Sequence, residues 1–170
     1  FAGNIENDSQ LKKVVISKNL KLNVAFGHRR LSIIDLSNQG HQPMHYNDRY
    51  WITYNGEIFN YIELKDELEK LGYSFKSQTD TEIILAAYDA WGVGCQNKFN
   101  GMWAFAIFDI KKEVIFISRD RFGIKPLYFY QDNDSFIFAS EIKALLENKE
   151  VITAPNVKFL KKFYNTGTKE

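Results

Sequence analysis

Five residues of this sequence carry groups suited to chemistry on an amide or an amino acid: Arg30, Asn55, Gly56, Glu57 and Asp80. Asn55 and Gly56 follow an apolar run, Tyr50-Trp51-Ile52-Thr53-Tyr54, that reads as a buried strand. Asn-Gly tolerates positive φ and predicts a sharp turn ahead of the helical pattern that follows. A strand ending there leaves an amide NH2 and a loose backbone N–H side by side. Two such donors are what an oxyanion needs. Arg30 offers a planar fork for a carboxylate. Asp80, near a helix start, offers an acceptor for an ammonium group. A fixed cation and a fixed anion together form a receptor for an α-amino acid. Each residue also has an ordinary alternative: a strand-to-helix turn for Asn55-Gly56, a surface salt bridge for Arg30, a helix cap for Asp80.

Other chemistries find less support. There is no Gly-rich phosphate loop. His28, His41 and His45 have no glycine-flanked serine to serve. His41 and His45 are four apart, but Pro43 between them excludes a shared helix face, so no metal site is expected. Cys95 is the only cysteine, which excludes an internal disulfide; it reads as an inert, mostly buried thiol. Lys+Arg is 22 against Asp+Glu 21, a net charge of +1, so neither nucleic acid nor an anionic membrane is an expected partner. No apolar run approaches the ~20 residues of a membrane span, and no signal peptide shows. A reducing, cytoplasmic setting is the default.

The elements that must position these residues follow from periodicity. The length, 170 residues, suits one domain with a real core, and 45% hydrophobic content argues against disorder. Phe1 to Ile5 and Leu20 to Phe26 read as strands, with an interruption at Gly27 to Arg30 before Leu31 to Asp35 resumes an extended pattern. Ser37 to Asp48 reads as a long loop. Asn60 and Glu63 have capping-box spacing for a helix that Gly72 stops. Tyr73 to Ser77 reads as a brief strand. Thr79 and Glu82 open a second helix, whose apolar stripe runs to Trp91 ahead of Gly92. From Met102 the period changes to two, giving strands at 102–108, 114–118, 127–130 and 135–139 joined by hairpin loops. Helices are expected at 141–146 and 156–164. Strands, two helices, an antiparallel meander and a helix make an α+β fold, and apolar residues on both faces of 103–108 suggest layers on both sides of a sheet.

Seven motifs in series then point to one family. They are Gly27-His28-Arg29-Arg30-Leu31-Ser32-Ile33-Ile34-Asp35-Leu36, Gly40-His41-Gln42-Pro43-Met44, Tyr54-Asn55-Gly56-Glu57-Ile58-Phe59-Asn60, Thr79-Asp80-Thr81-Glu82, Phe99-Asn100-Gly101-Met102-Trp103-Ala104-Phe105, Arg119 to Tyr128, and Ala139 to Leu145. In this order they resemble the glutaminase domain, a class II glutamine amidotransferase, of glutamine-hydrolysing asparagine synthetases. The resemblance implies an N-terminal-nucleophile hydrolase fold, an αββα sandwich of two antiparallel sheets. It implies hydrolysis of glutamine to glutamate, with the ammonia passed to a C-terminal synthetase domain. By position, Arg30 is similar to the arginine that holds the substrate α-carboxylate, with Leu31, Ile33 and Ile34 lining the pocket beside it. Asn55 and Gly56 match the oxyanion hole, and Glu57 and Asp80 match the receptors of the α-amino group. Arg119 and Asp120 are expected to form a structural ion pair at a turn. No cofactor is implied for this domain; ATP and Mg belong to the synthetase domain. Residues 1–150 would form the amidotransferase domain and 151–170 the lead into its partner. A homodimer is left open.

Two departures from the family pattern stand out. The family nucleophile is a cysteine at the mature N-terminus, whose own α-amine serves as base. Phe1-Ala2-Gly3 aligns just after the family's Cys-Gly, so the 170 residues by themselves are expected not to hydrolyse glutamine. A non-catalytic module that binds glutamine or a partner domain is the alternative function. The family also carries a His-Arg-Gly-Pro-Asp loop that nothing here matches, and its place would be between Glu6 and Val15.

Overall fold

The computed structural model describes residues 3–4, 24–29 and 40–167. Among them, the chain forms two compact units, Phe1–Pro126 and Leu127–Glu170. The expected strands at Leu20 and Leu31, and the expected gap between Glu6 and Val15, lie outside or mostly outside the described residues.

The first unit is built on a four-stranded antiparallel sheet. Its strands are β3 (Met44–Tyr46), β4 (Tyr50–Ile58), β5 (Gly101–Asp109) and β6 (Val114–Arg119), in that spatial order. A two-residue parallel pair, β1 (Gly3–Asn4) with β2 (Gly27–His28), forms a second ladder. Gly27-His28 is therefore strand where the sequence predicts an interruption. β3 also corrects an expectation, because it lies within the stretch read as loop. Met44 and Tyr46 point into the core while His45 faces out, an alternation too short to recognise unaided.

The main correction concerns β4. It does not stop at Asn55-Gly56 but continues to Ile58, paired residue for residue with β5 from Tyr50↔Asp109 to Ile58↔Gly101. Nine cross-strand partners outweigh the turn preference of one dipeptide. Gly56 serves close approach instead. A Cβ there would run into the Met102 carbonyl and lie 2.7 Å from the Tyr54 ring and 2.8 Å from the Trp103 Cα.

Two helices cover one face of this sheet. α1 (Tyr61–Lys70) buries Leu64 and Leu68. α2 (Asp80–Trp91) is buried on all sides through Tyr88, as a core helix must be. Ile52, Ile58, Ile84, Phe105 and Ile107 meet between them, and Trp103 closes against Phe99 edge to face. On the sheet's other face Ala104 and Ala106 are also buried, as the double-sided apolar pattern predicts.

Local capping differs from expectation at α1. Asn60 makes no cap bond; its amide donates to the Lys98 carbonyl and its oxygen accepts from the Asn100 N–H, tying the turn after β4 to the lead of β5. Thr79 does cap α2, accepting from the Glu82 N–H, while Glu82 reaches back to Lys76 and Ser77. Those bonds occupy the 73–77 segment, which is irregular and not a strand. Arg119 and Asp120 form no ion pair. Arg119 donates to the carbonyls of Gly123 and Lys125, and Asp120 accepts N–H groups from Trp103, Phe122, Ile124 and Lys125.

The second unit holds the hairpin β7 (Tyr128–Gln131) with β8 (Phe136–Ala139), then α3 (Ile142–Leu146) and α4 (Val157–Thr166). These match the predicted elements to within two residues at each end. Among the described residues no helix is long and apolar enough to cross a membrane.

Candidate functional site

The site grows from the unpaired edge of β4. Strand alternation sends Tyr54 and Ile58 into the helix-facing core. Asn55 and Glu57, both half-buried, take the opposite face, where Thr53 meets His28 of β2 at 3.4 Å. The backbone direction is fixed by β5. Trp103 directs its N–H and carbonyl toward Asp120, with its N–H on the carboxylate at 3.3 Å and its carbonyl accepting the Asp120 N–H at 2.7 Å. Gly56 sits opposite Trp103. In an antiparallel ladder a residue whose partner turns its polar groups away must do the same. The N–H groups of Tyr54, Gly56 and Ile58 therefore line the edge away from β5.

β3 pairs with that edge only as far as Met44↔Ile52. Beyond it, the Gln42 side-chain oxygen accepts the Tyr54 N–H at 2.6 Å, and the Asp80 carboxylate accepts the Ile58 N–H at 3.0 Å. Among the described residues none takes the N–H of Gly56, which lies between these two. The sequence places that donor at a sheet end; the structure places it in mid-strand on a sheet edge. Among the described residues, the result is an N–H without a partner at the position after Asn55.

Asp80 is not the helix cap, because Thr79 has that role. It is the first helical residue, buried, and one of its oxygens receives both the Ile58 N–H and the Tyr54 hydroxyl, the latter at 2.7 Å. Burial pushes the Asp80 carboxyl above the usual range. The bonds from Ile58, Tyr54 and Thr81 pull it back, and the charge of Glu57 adds to the rise. Burial likewise raises the Tyr54 phenol, helped by the Asp80 charge it bonds. The Glu57 charge thus disfavours that of Asp80, an effect that a cation beside Asp80 would relieve.

The structure brings Asn55, Gly56, Glu57 and Asp80 to one edge. Arg30, Leu31, Ile33 and Ile34 lie outside the described residues, although β2 leads the chain toward them. Gln42 and Tyr54 stand in the motifs without an expected role; only the three-dimensional register shows what they hold. Cys95 sits far from this edge in sequence, in a 3-10 turn at Gly92–Asn97, fully buried, with burial pushing its thiol up to about 12.

Comparison with known proteins shows the family. Residues 12–170 match the family model described as a glutamine amidotransferase domain. The chain belongs to that family. An asparagine synthetase (glutamine-hydrolysing) 1 of Bacillus subtilis is 52% identical over 124 residues, 72% of this chain and 20% of its own length. Asparagine synthetase (glutamine-hydrolysing) 3 of the same organism is 41% identical over 131 residues, 75% of this chain and 21% of its own. A Methanocaldococcus jannaschii relative is 49% identical over 149 residues, 79% of this chain and 28% of its own. The chain therefore spans less than a third of the length of these relatives. Among solved structures, a glutamine phosphoribosylpyrophosphate amidotransferase from B. subtilis, complexed with ADP and GMP, matches with a TM-score of 0.58 at 24% identity. That match covers 69% of this chain and 28% of the other. It shows that the two share an α+β fold.

Proposed function

We propose that this chain is the glutaminase module of an asparagine-synthetase-like amidotransferase. It binds glutamine, hydrolyses the side-chain amide to glutamate and ammonia, and supplies the ammonia to an ATP-dependent amidation in a C-terminal synthetase domain. The observation that carries this reading is the untaken Gly56 N–H on an open strand edge, between Gln42 and Asp80, with Asn55 beside it.

In this reading the nucleophile is the thiol of a cysteine ahead of Phe1, with its own α-amine as base. The thiolate attacks the amide carbon. Charge develops on the amide oxygen, where the Gly56 N–H and the Asn55 NH2 donate. The C–N bond breaks, the leaving nitrogen takes a proton and departs as ammonia, and water cleaves the resulting thioester to glutamate. Asp80 and Glu57 hold the α-ammonium group, Arg30 holds the α-carboxylate, and Leu31, Ile33 and Ile34 line the pocket. The domain extends to about residue 150, and 151–170 lead toward the synthetase domain, which binds ATP and Mg.

The test compares release of glutamate and ammonia by three forms: the 170-residue chain, the same chain with Cys-Gly added ahead of Phe1, and that longer form with Asn55→Ala. The first should be silent and the second active. The third should be roughly 10²–10³-fold slower with little change in glutamine affinity, since the hole acts in the transition state. A Cys-Gly form that binds glutamine yet stays silent would make the module a non-catalytic one.

A further inference from the structure

We propose that Gln42 is a positioning residue of the glutaminase reaction, setting the oxyanion donor of Gly56 by holding the strand edge next to it. The inference rests on the reading of Gly56 as that donor.

The argument is one of register. Met44 pairs with Ile52 and Tyr46 with Tyr50, so the next position along β3 that would face an edge N–H is Gln42, opposite Tyr54. The strand does not continue that far: β3 begins at Met44, and Gln42 and Pro43 form a bend ahead of it. The Gln42 side chain takes over the part of the missing backbone carbonyl. Its oxygen accepts the Tyr54 N–H at 2.6 Å, and the residue is 6% exposed.

The result is an edge with three outward N–H groups and two fixed acceptors. Tyr54 is held by Gln42 and Ile58 by Asp80, which among the described residues leaves the Gly56 N–H for a ligand. A regular third strand would have covered Gly56 as well and removed the donor. Without any acceptor at Tyr54, the edge would present two successive free N–H groups, and the backbone carrying Asn55 and Gly56 would be held on one flank only, by Asp80. Gln42 thus keeps the edge straight without closing it. The Tyr54 side chain adds a second hold, because its hydroxyl bonds the same Asp80 oxygen that fixes Ile58.

The test is glutaminase kinetics in the full-length gene product. Gln42→Leu removes the acceptor at similar size. The expected result is a kcat lower by about ten- to a hundredfold, as small misplacements of reacting groups produce, with KM for glutamine within about threefold of the wild type. Gln42→Glu keeps an oxygen in the accepting position and should recover most of the lost kcat. Thermal midpoints of all three proteins are read alongside. A Gln42→Leu protein with a lowered midpoint but unchanged kcat assigns Gln42 to stability and overturns the proposal. So does a rise in KM at constant kcat, or a Gln42→Glu protein as slow as Gln42→Leu. A wild-type protein that releases no ammonia, or an Asn55→Ala protein with full turnover, defeats the underlying glutaminase reading instead.

Discussion

Asp80→Asn separates binding from stability, because burial makes the Asp80 charge a cost to the fold while the proposed function makes it a benefit to the ligand. The two donors that hold Asp80, the Tyr54 hydroxyl and the Ile58 N–H, converge on a single oxygen. An amide oxygen in that place keeps both bonds. What is lost is the charge and the acceptor capacity of the second oxygen. The carboxyl is raised above its unfolded value, chiefly by burial. A raised carboxyl binds its proton more tightly in the folded state, so its unfavourable share of the stability appears as pH rises through the window between the unfolded and folded values. Above that window the folded domain bears the cost of a buried charge, which the neutral amide of the variant does not carry. The unfolding free energy at pH 7 should therefore shift by no more than about 1 kcal/mol in either direction. Binding should respond differently. One charge-assisted bond to an ammonium group is worth about 1.5–3 kcal/mol, or about 10- to 150-fold in affinity. Calorimetry with L-glutamate, which has the same α-amino group and is not turned over, measures this directly. Wild-type affinity should also fall as pH drops through the raised Asp80 value, above the ordinary carboxylate range, and the variant should lack that acid limb. A variant that unfolds readily yet binds glutamate as well as the wild type would refute the assignment and make Asp80 a structural anchor.

Two further outcomes follow from groups away from the site. Cys95 is fully buried and its thiol is pushed up to about 12, so native protein should resist iodoacetamide at Cys95 until denatured, and Cys95→Ser should leave glutaminase activity intact. Asp120 accepts four backbone N–H groups, two on each oxygen, and although burial raises its carboxyl these bonds hold it below the usual range. Asp120→Ala should cost about 2–4 kcal/mol in urea unfolding, with Asp120→Asn intermediate, and the contribution should be present above the unfolded carboxyl value and fade as pH falls through the folded one.

Much of the fold was legible because its signals are local. Thr79 and Glu82 mark the start of α2, Gly92 its end, and the period-two runs from Met102 mark β5 to β8. Residue type and, more firmly, motifs in series single out Asn55, Gly56, Glu57 and Asp80 as candidates, and the structure places Asn55 to Glu57 on β4 and Asp80 on the Ile58 N–H. The path of β4 was not legible. Asn55-Gly56 has the composition of a turn, and only β5, some fifty positions away in the chain, holds it extended. β3 failed for a related reason: three residues are too few to show alternation, and its strand character comes from Tyr50 to Ile52 across the ladder. Asn60 looked like a cap because no sequence rule reveals that Lys98 and Asn100 will lie within its reach. Each miss is a long-range contact overriding a local preference.

The mid-strand position of Gly56 matters for the site itself. A donor at a true turn would owe its position to a loop, free to shift with each fluctuation. A donor in mid-strand is held by the ladder on one side, through Asn55↔Ala104 and Glu57↔Met102, and its neighbours are held on the other by Gln42 and Asp80. Oxyanion stabilisation depends on donors that need not reorganise as charge appears. An open edge within a sheet meets that need better than a turn does. The usual hazard of such an edge is pairing with another chain. Among the described residues the unpaired N–H groups of this stretch come down to that of Gly56, because a side chain on each flank takes the N–H groups of Tyr54 and Ile58. The glycine is required by the crowding of the Met102 carbonyl, Trp103 and Tyr54 around its Cα.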